Sequence, residues 1–310
     1  MCSNLVINSE EEFKISKSTR VDVVLICLND EIHITRAILS LANQNSDLLN
    51  QLIVVDGGSS DNTLALAEKL PCKIAKSPQG MLKQTKLGLN LSHSPLVLLA
   101  EADHVYPPNF LRQIQTELLE SQTQWDCLAA SNEYLRNENF FERGHRDFLK
   151  VHYMEHGAKE IVAGTQLWRR RSLIQLLDKM EFGDSFCFDT ERAEVASSIG
   201  LKFATARSTV YEDYKIDFAK FIQRHRNYGY GDFEFYTYHK KEWTLRRKFK
   251  SLCHVFRQYV IRYPFAALRI GFGLSSITYF WLIAATRYFF WARKALEIRL
   301  QKMFVSSNKA

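Results

Sequence analysis

Two carboxylates follow an apolar run near the middle of the chain. The segment "PLVLLAEADHVYPPNFL" passes from leucines to Glu101 and Asp103 and then to a double proline. Residues two apart lie on the same side of an extended backbone, so both side chains can face one point. That point is either a bound metal ion or solvent, and this segment alone leaves both interpretations open.

Three more segments place polar or acidic residues where an apolar run ends or a helix begins. Asn29 and Glu31 follow "VDVVLICL", and Asp56 ends "QLIVVD". Asp189 and Glu191 lie in "CFDTERAEVASSIG", at the start of a helical pattern. Carboxylates and amides of this kind are ligands for hard cations, acceptors for a sugar or base, and proton acceptors in catalysis.

The elements around these residues predict an α/β fold. Near-continuous apolar runs of strand length at 21–28, 51–56 and 95–100 alternate with helical patterns at 31–44 and 61–70. Such runs indicate a parallel sheet that is covered by helices on both faces. Ligands bind at the carboxyl ends of the strands in these sheets, where Asp56 and Asp103 fall.

Taken in order, these segments resemble family 2 glycosyltransferases of the GT-A type. "VVDGGSSDNT" matches the end of the family's second strand and its following turn. "EADHVYPPNFL" matches a D-x-D-like motif with Glu101 in place of the first Asp, and "FDTERAEVASSIGLK" matches a later Glu-Asp segment with Phe188 in place of Glu. The resemblance covers residues 21–231. It implies a Rossmann-type domain with a mostly parallel sheet, and sugar transfer from a nucleotide-sugar donor.

The resemblance assigns a metal to the first motif. Asp103 would bind Mg²⁺ or Mn²⁺, which would stabilise the diphosphate leaving group of the donor. Glu101 would face the donor or reach the metal through water. His104 is either a third ligand or, as we favour, a loop residue beside the motif.

The donor-binding residues are assigned in the same way. Asp56 would accept a hydrogen bond from the nucleobase, which favours uracil; its alternative role is to cap the next helix, a role that Asp61 fits better. Asn29 and Glu31 would lie near the nucleotide. Arg226, in "FIQRHRNYGYG", would neutralise the departing diphosphate, or else belongs to a basic surface.

Transfer also needs a base for the acceptor hydroxyl. Asp189 holds the family's base position, and Glu191 is the fallback. The family inverts the anomeric configuration by direct displacement, so one base and no covalent nucleophile is expected. The alternative role of Asp189 is to cap its helix.

Charge is distributed unevenly along the 310 residues. The net charge is +7, yet residues from 215 onward hold 19 Lys and Arg against 5 Asp and Glu, a surplus of +14. The preceding 214 residues hold 22 and 29, a balance of −7. Such a split is typical of a protein that contacts an anionic surface. Six scattered cysteines without a C-x-x-C pair indicate reduced thiols in a cytosolic protein.

The C-terminal region favours a membrane over a nucleic acid. Apolar residues at helical spacing between Leu245 and Tyr263 indicate an amphipathic helix that lies on an anionic bilayer or packs on the core. Residues 270–286 are uncharged, and their length is at the short limit for one membrane span. The stretch forms one span, a re-entrant hairpin or a buried helix. Nucleic-acid surfaces do not need this stretch. We therefore expect a lead-in at 1–20, a catalytic domain at 21–235 and a membrane-associating region at 236–310.

These observations combine into one leading hypothesis. The chain is expected to be a metal-dependent inverting glycosyltransferase at the cytoplasmic side of a membrane, peripheral or anchored by its C-terminal region. Its acceptor would be a lipid-linked sugar, a lipid headgroup or a growing surface glycan. The alternative is a non-catalytic, nucleotide-binding member of the same fold that acts as a partner protein.

Overall fold

The computed structural model describes residues 15–184 and 186–307, and side chains as far as residue 301. The expected lead-in at 1–20 falls mostly outside the described residues. The described chain forms two compact units. The first holds residues up to 135 and 155–213, and the second holds residues 136–154 and those from 214 onward.

The first unit is built on one mixed sheet. In the described part of the chain it has nine strands: β1 (Val21–Cys27), β2 (Leu49–Asp56), β3 (Lys73–Lys76), β4 (Leu96–Glu101), β5 (His104–Val105), β6 (Cys127–Tyr134), β7 (Gly157–Lys159), β8 (Gln166–Arg169) and β9 (Phe203–Glu212). The strand order is β3-β2-β1-β4-β8-β6-β9-β5, and β7 pairs with β9. The neighbours β3, β2, β1 and β4 run parallel, and β8 is antiparallel to both β4 and β6.

The register brings the carboxyl ends of three strands to one edge. Cys27 of β1 pairs with Asp56 of β2, and Ile26 pairs with Glu101 of β4. The apolar runs explain this arrangement, because parallel strands buried on both faces need side chains that pack in both directions. The polar residues that follow the strands therefore meet at the same edge.

Helices cover both faces of this sheet. They are α1 (Ile34–Ala42), α2 (Thr63–Ala67), α3 (Met81–Leu91), α4 (Phe110–Glu120), α6 (Arg170–Lys179) and α7 (Phe188–Ser198). The remaining helix of this part of the chain, α5 (Phe140–His152), belongs to the second unit. One apolar core lies between the sheet and α1, α2 and α4; the other lies between the sheet and α3, α6 and α7. The predicted α/β architecture with a mostly parallel central sheet is confirmed.

The second unit is helical. It contains α5 (Phe140–His152), α8 (Phe218–His239), α9 (Leu245–Leu252), α10 (His254–Phe256), a π-helical segment (Arg257–Arg262), α11 (Tyr263–Arg269) and α12 (Leu274–Ser307). A helical C-terminal region was expected, and it is present. The boundary expected between residues 235 and 236, however, falls inside α8, and α5 joins this unit from the middle of the chain.

The uncharged stretch at 270–286 supplies the core of the second unit. Ile277, Tyr279, Phe280 and Ile283 of α12 are buried. Gly144 of α5 is required here, since a Cβ at that position would lie 2.3 Å from the ring of Tyr279. The structure shows a helix that is buried on one face only, since Leu274 and Trp281 are 78% and 51% exposed. In the described part of the chain, no helix combines the length and the hydropathy needed to cross a membrane.

Arg287 also lies within the second unit. It donates two hydrogen bonds to Asp232 of α8, at 2.9 and 2.7 Å, and one to the hydroxyl of Tyr259 at 3.2 Å. Asp232 and Tyr259 outweigh the effect of burial and raise the pKa of Arg287. This arginine therefore holds α8 and α12 together.

Candidate functional site

Glu101, Asp103 and His104 form an acidic cluster at the end of β4. Each offers one ligand atom, and these atoms all lie within 4.8 Å of one another. The Nε2 atom of His104 is 3.2 Å from Oε2 of Glu101 and 4.0 Å from Oδ1 of Asp103. The chain turns at residues 102 and 103 instead of continuing as an extended strand. The two carboxylates and the imidazole still converge, because β5 begins at His104 directly after that turn.

His104 is a buried strand residue, with only 1% of its side chain exposed. It pairs with Glu212 in the antiparallel ladder of β5 and β9. Its Nδ1 atom is 2.9 Å from the hydroxyl of Thr165, and its Nε2 atom is 3.1 Å from Nδ2 of Asn132. Asn132 in turn donates to Oε1 of Glu212 at 2.8 Å. His104 is thus a strand residue held by several contacts. The expectation that it is a loop residue beside the motif is wrong.

Tyr106 ties the backbone of the cluster to this network. Its hydroxyl accepts a hydrogen bond from the backbone N–H of Glu101 at 2.9 Å and lies 3.0 Å from the hydroxyl of Thr165. Burial raises the pKa of Tyr106, so the phenol stays protonated. Tyr106, Asn132 and Glu212 were not anticipated from the sequence. Glu212 had a usable signal, since it ends the strand-like segment "FATARSTVYE" as Asp56 and Glu101 end theirs.

The electrostatics of the cluster follow from its position in a cleft. Burial raises the pKa of Glu101 to about 7, with His104 opposing and Asp103 reinforcing the shift. About two fifths of the Glu101 side chain still reaches solvent (39%), but protein surrounds the rest of it. Burial alone would lower the pKa of His104, yet Glu101 and Glu212 outweigh it and raise that pKa to about 9. The cluster therefore concentrates negative charge around one imidazole.

The donor set fits a divalent cation. Two carboxylates suit Mg²⁺ or Mn²⁺, and Mn²⁺ also accepts an imidazole. The side chains of Glu101 and Asp103 are 39% and 37% exposed, so solvent or a ligand can complete a coordination shell. His104 is less accessible, and its ring already contacts Thr165 and Asn132. Asp103 and Glu101 are the residues of this cluster that are open to a metal.

Asp189 lies in the first turn of α7. The N-cap residue of α7 is Cys187, so Asp189 does not cap this helix. Its carboxylate pairs with Arg192, one turn later on the same helix. Burial raises the pKa of Asp189 above its ordinary value, although Arg192 opposes the shift. Its side chain is 38% exposed, whereas Glu191 is buried, with 2% exposed.

Arg192 is a site residue that sequence reasoning missed. Its guanidinium lies 4.9 Å from the ring centroid of Phe188 and 5.9 Å from that of Trp168, and donates to the carbonyl of Val162 at 3.2 Å. Phe188, which replaces the Glu of the family motif, thus packs against the guanidinium of Arg192. A basic residue three positions after Asp189 was the available signal, because i and i+3 are neighbours on a helix.

One pocket joins these groups. Its lining residues are Val24, Ile26, Met81, Thr85, Leu99, Ala100, Glu101, Gly164, Phe188, Asp189 and Arg192. It opens at the carboxyl ends of β1 and β4. Glu101 of the acidic cluster and the Asp189–Arg192 pair therefore face the same space, with apolar walls from β1, β4 and α3.

Asp56 holds the loop that follows β2. Its carboxylate accepts hydrogen bonds from the backbone N–H groups of Gly58, at 3.0 Å, and Ser59, at 3.1 Å, and from the hydroxyl of Ser59 at 2.5 Å. Only 2% of Asp56 is exposed. The N-cap residue of the helix that follows is Asn62, so neither Asp56 nor Asp61 caps it; Asp61, one residue earlier, accepts at Oδ1 from the backbone N–H of Thr63 at 3.0 Å. The role of Asp56 toward a nucleobase stays a prediction.

Asn29 and Glu31 brace the same loop. Asn29 has a left-handed backbone (φ 55°), which asparagine tolerates, and its Oδ1 accepts from the backbone N–H of Ser60 at 2.8 Å. Glu31 accepts from the backbone N–H of Asn62 at 3.1 Å. These residues join the ends of β1 and β2, and donor binding by them remains a prediction. So does the clamp role of Arg226, an exposed residue on α8 of the second unit.

Comparison with known proteins gives one family match. The family model described as glycosyl transferase family 2 matches residues 22–177, about half of the chain. A search of curated protein sequences gave no match.

Solved structures share this fold at low sequence identity. The mannosyltransferase PcManGT of Pyrobaculum calidifontis, in complex with GDP-Man and Mn²⁺, is 15% identical with a TM-score of 0.54, and the alignment covers 87% of this chain and 86% of that one. Residues 1–349 of S. aureus TarS, in complex with UDP-GlcNAc, are 15% identical with a TM-score of 0.53, covering 84% and 79%. At these identities the likeness extends to the fold.

Proposed function

Because the chain belongs to glycosyl transferase family 2, we propose that it moves a sugar from a nucleotide-sugar donor, preferably a UDP-sugar, to an acceptor hydroxyl with inversion. The observation that carries the proposal is the pocket at the ends of β1 and β4. Glu101 of the acidic cluster and Asp189 line it together. A diphosphate site and a proton acceptor in one pocket are what direct displacement at a sugar carbon requires.

The donor diphosphate would bind at the acidic cluster. Asp103, with Glu101 directly or through water, would hold Mg²⁺ or Mn²⁺, which when bound neutralises charge on the leaving diphosphate. His104 contacts the Glu101 carboxylate, and Thr165 and Asn132 in turn hold His104. Fixing the carboxylate before the donor arrives avoids reorganisation during the reaction.

Asp189 would take the proton of the acceptor hydroxyl. As the bond from that oxygen to the anomeric carbon forms, the bond to the diphosphate breaks and the proton passes to the Asp189 carboxylate. The raised pKa suits a group that must receive a proton, and the exposed part of the side chain gives the acceptor access. Glu191 is buried, which favours Asp189 for this role.

The acceptor class is a lipid-linked sugar or a surface glycan, at the cytoplasmic side of a membrane. The basic surplus of the C-terminal part supports this choice. Arg226, one of its exposed cations, is proposed to neutralise the departing diphosphate. The two similar structures hold UDP-GlcNAc and GDP-Man, so the base of the donor needs a direct test.

The proposal is tested with a panel of UDP- and GDP-sugars, with Mg²⁺ or Mn²⁺, by following nucleotide release and donor binding. We expect Asp103→Asn to lose metal-dependent donor binding and to lower kcat/KM by about 100-fold or more. Asp189→Asn should keep donor binding while kcat falls by about 100-fold or more. A chelator should reproduce the Asp103→Asn result in the wild-type protein.

Asp47→Asn is the matched control, because Asp47 is a surface carboxylate with 66% of its side chain exposed. It should leave turnover unchanged. Nucleotide binding without turnover of any donor would instead support the alternative, a non-catalytic nucleotide-binding partner protein. Full turnover by Asp189→Asn would exclude Asp189 as the base.

A further inference from the structure

A row of bulky apolar side chains is exposed along the helical segment from α9 to α11. We call this row the outer stripe. It consists of Leu245, Phe249, Phe256, Ile261, Phe265 and Leu268. Each of these residues is between 49% and 83% exposed. The backbone stays helical between α9 and α10, since the N–H of Cys253 donates to Phe249 and the N–H of Arg257 donates to Cys253.

The π-helical segment keeps the outer stripe on one side. An α-helix has 3.6 residues per turn, so steps of three, four or seven residues return to the same face. The step from Phe256 to Ile261 is five residues, and it falls within the π-helical segment at Arg257–Arg262, whose wider turns bond i to i+5. The opposite side faces inward, where Tyr263 is buried and its hydroxyl lies 2.6 Å from Nδ1 of His152. The segment therefore has distinct inner and outer faces.

A row of cations accompanies the outer stripe. Its members are Arg246, Lys250, Arg257, Arg262 and Arg269, and all five are exposed. Each directly follows a stripe residue, which places it about 100° around the helix from that residue. Residues 243–296 contain ten Lys and Arg and no Asp or Glu. The surface beside the outer stripe is thus of one charge along its whole length.

We propose that the outer stripe docks this protein peripherally on an anionic lipid bilayer. Leucine, isoleucine and phenylalanine side chains would enter the boundary between headgroups and acyl chains, while the neighbouring Arg and Lys extend toward lipid phosphates. At 1.5 Å per residue, the segment from Leu245 to Leu268 presents a line about 35 Å long. Membrane docking does not depend on the proposed function. Its biological role does, because docking would bring the enzyme to a lipid-linked acceptor.

Charge favours a bilayer over a protein groove as the occupant. Protein interfaces deplete charge at their centre. The cations here flank the outer stripe from one end to the other, and the segment offers no carboxylate for a mixed-sign rim. An anionic membrane attracts each basic residue that lies near its surface.

The test is flotation of the full chain with vesicles of phosphatidylcholine alone or mixed with phosphatidylglycerol, without donor or metal. We expect binding to the mixed vesicles that weakens at high NaCl, and little binding to phosphatidylcholine. Phe249→Ser with Phe265→Ser should lower the partition coefficient by about tenfold or more. Arg246→Gln with Lys250→Gln should lower it and flatten its salt dependence.

Phe289→Ser on α12 is the matched control, since Phe289 is 63% exposed and is not a member of the outer stripe. It should bind vesicles as the wild type does, and circular dichroism should show all variants folded. The proposal would be overturned if the protein bound both vesicle types equally, or if Phe289→Ser lost as much vesicle binding as the stripe variant. Capture by an acidic protein without vesicle binding would also overturn it. Nucleotide release in solution is a separate readout. Turnover without vesicle binding contradicts docking alone, whereas vesicle binding without turnover contradicts the enzymatic function alone.

Discussion

At the scale of single residues, the pairing of Asp189 with Arg192 shapes the proposed chemistry. Burial raises the pKa of Asp189, and the Arg192 guanidinium partly opposes that rise. Arg192 is itself buried, and it is held by the rings of Phe188 and Trp168 and by the carbonyl of Val162. A fixed cation beside the base thus favours the ionised carboxylate against the effect of burial, while part of the carboxylate stays exposed.

Replacing the arginine tests this balance. In Arg192→Met the apolar contacts with Phe188 and Trp168 are kept and the positive charge is lost. The pKa of Asp189 should rise further, so activity should be lost at a higher pH as the solution is acidified, because a base must be deprotonated to act. We expect the acidic limb of the kcat/KM profile to move to higher pH than in the wild type.

Arg192→Lys is the control, since it keeps a cation near Asp189. Its acidic limb should stay near that of the wild type. An unchanged profile in Arg192→Met, measured on protein whose circular dichroism matches the wild type, would contradict the coupling.

At the scale of elements, Asp22 joins β1 to its neighbours at the end of the sheet opposite the candidate site. It is fully buried and accepts hydrogen bonds from Asn50 and Gln51 of β2 and from the backbone and hydroxyl of Ser94, just before β4. Burial alone would raise the pKa of Asp22, but these hydrogen bonds outweigh it and hold that pKa below 3.8. A lowered pKa means that the ionised form stabilises the folded state.

Asp22→Asn should therefore destabilise the protein in a pH-dependent way. At neutral pH we expect the free energy of unfolding to fall by about 2–3 kcal/mol, since an amide donor would face the donors of Asn50 and Ser94. The stabilisation by Asp22 is present above its unfolded pKa and is lost as pH falls through the lowered folded value. The difference between variant and wild type should narrow below about pH 4 in urea unfolding followed by circular dichroism.

The exposed Asp47→Asn provides the comparison for this experiment as well. Its unfolding free energy should stay within about 0.5 kcal/mol of the wild type. A neutral-pH stability of Asp22→Asn equal to that of the wild type would contradict the role given to Asp22.

At the scale of the whole molecule, the second unit is assembled from distant parts of the sequence. The ring centroids of Phe140 on α5 and Tyr279 on α12 are 6.1 Å apart, and those of Phe148 and Tyr263 are 5.6 Å apart. The apolar face of α5 is therefore covered by helices that follow it by more than 100 residues. Removing the C-terminal part would uncover a surface in the middle of the chain.

A truncated chain ending at Tyr236 should show this dependence. Without α11 and α12, the aromatic face of α5 is exposed, and we expect several-fold higher fluorescence of the apolar dye ANS than for the full chain, with aggregation. A chain ending at residue 301 keeps α11 and most of α12, and should resemble the full chain. Dye binding and size-exclusion chromatography measure both effects. A monomeric Tyr236-terminated chain with unchanged dye fluorescence would contradict the shared core.

The sequence by itself determined the α/β fold and the family. Near-continuous apolar runs specify buried parallel strands wherever they occur, and motifs at strand ends meet at one edge because parallel strands share a direction. Asp56, Glu101 and Asp103 could therefore be placed at the ends of their strands without a structure. These patterns are local, so they can be read from neighbouring residues of the sequence.

Only the tertiary structure decided what each polar residue touches. Asn132 and Glu212 reach His104 through contacts across strands, and no spacing in the sequence encodes that pairing. The spacing of Asp189 and Arg192 could be read from the sequence, but the contacts of Arg192 with Trp168 and Val162 could not. The same holds for residues 270–286, whose hydropathy suits either a lipid or a protein environment. Long-range packing against α5 and α8 put one face of this stretch, with Tyr279 and Phe280, in a protein core and left the outer stripe exposed. Burial is a property of the assembled chain, because the same apolar side chain is stabilised by any environment that removes it from water.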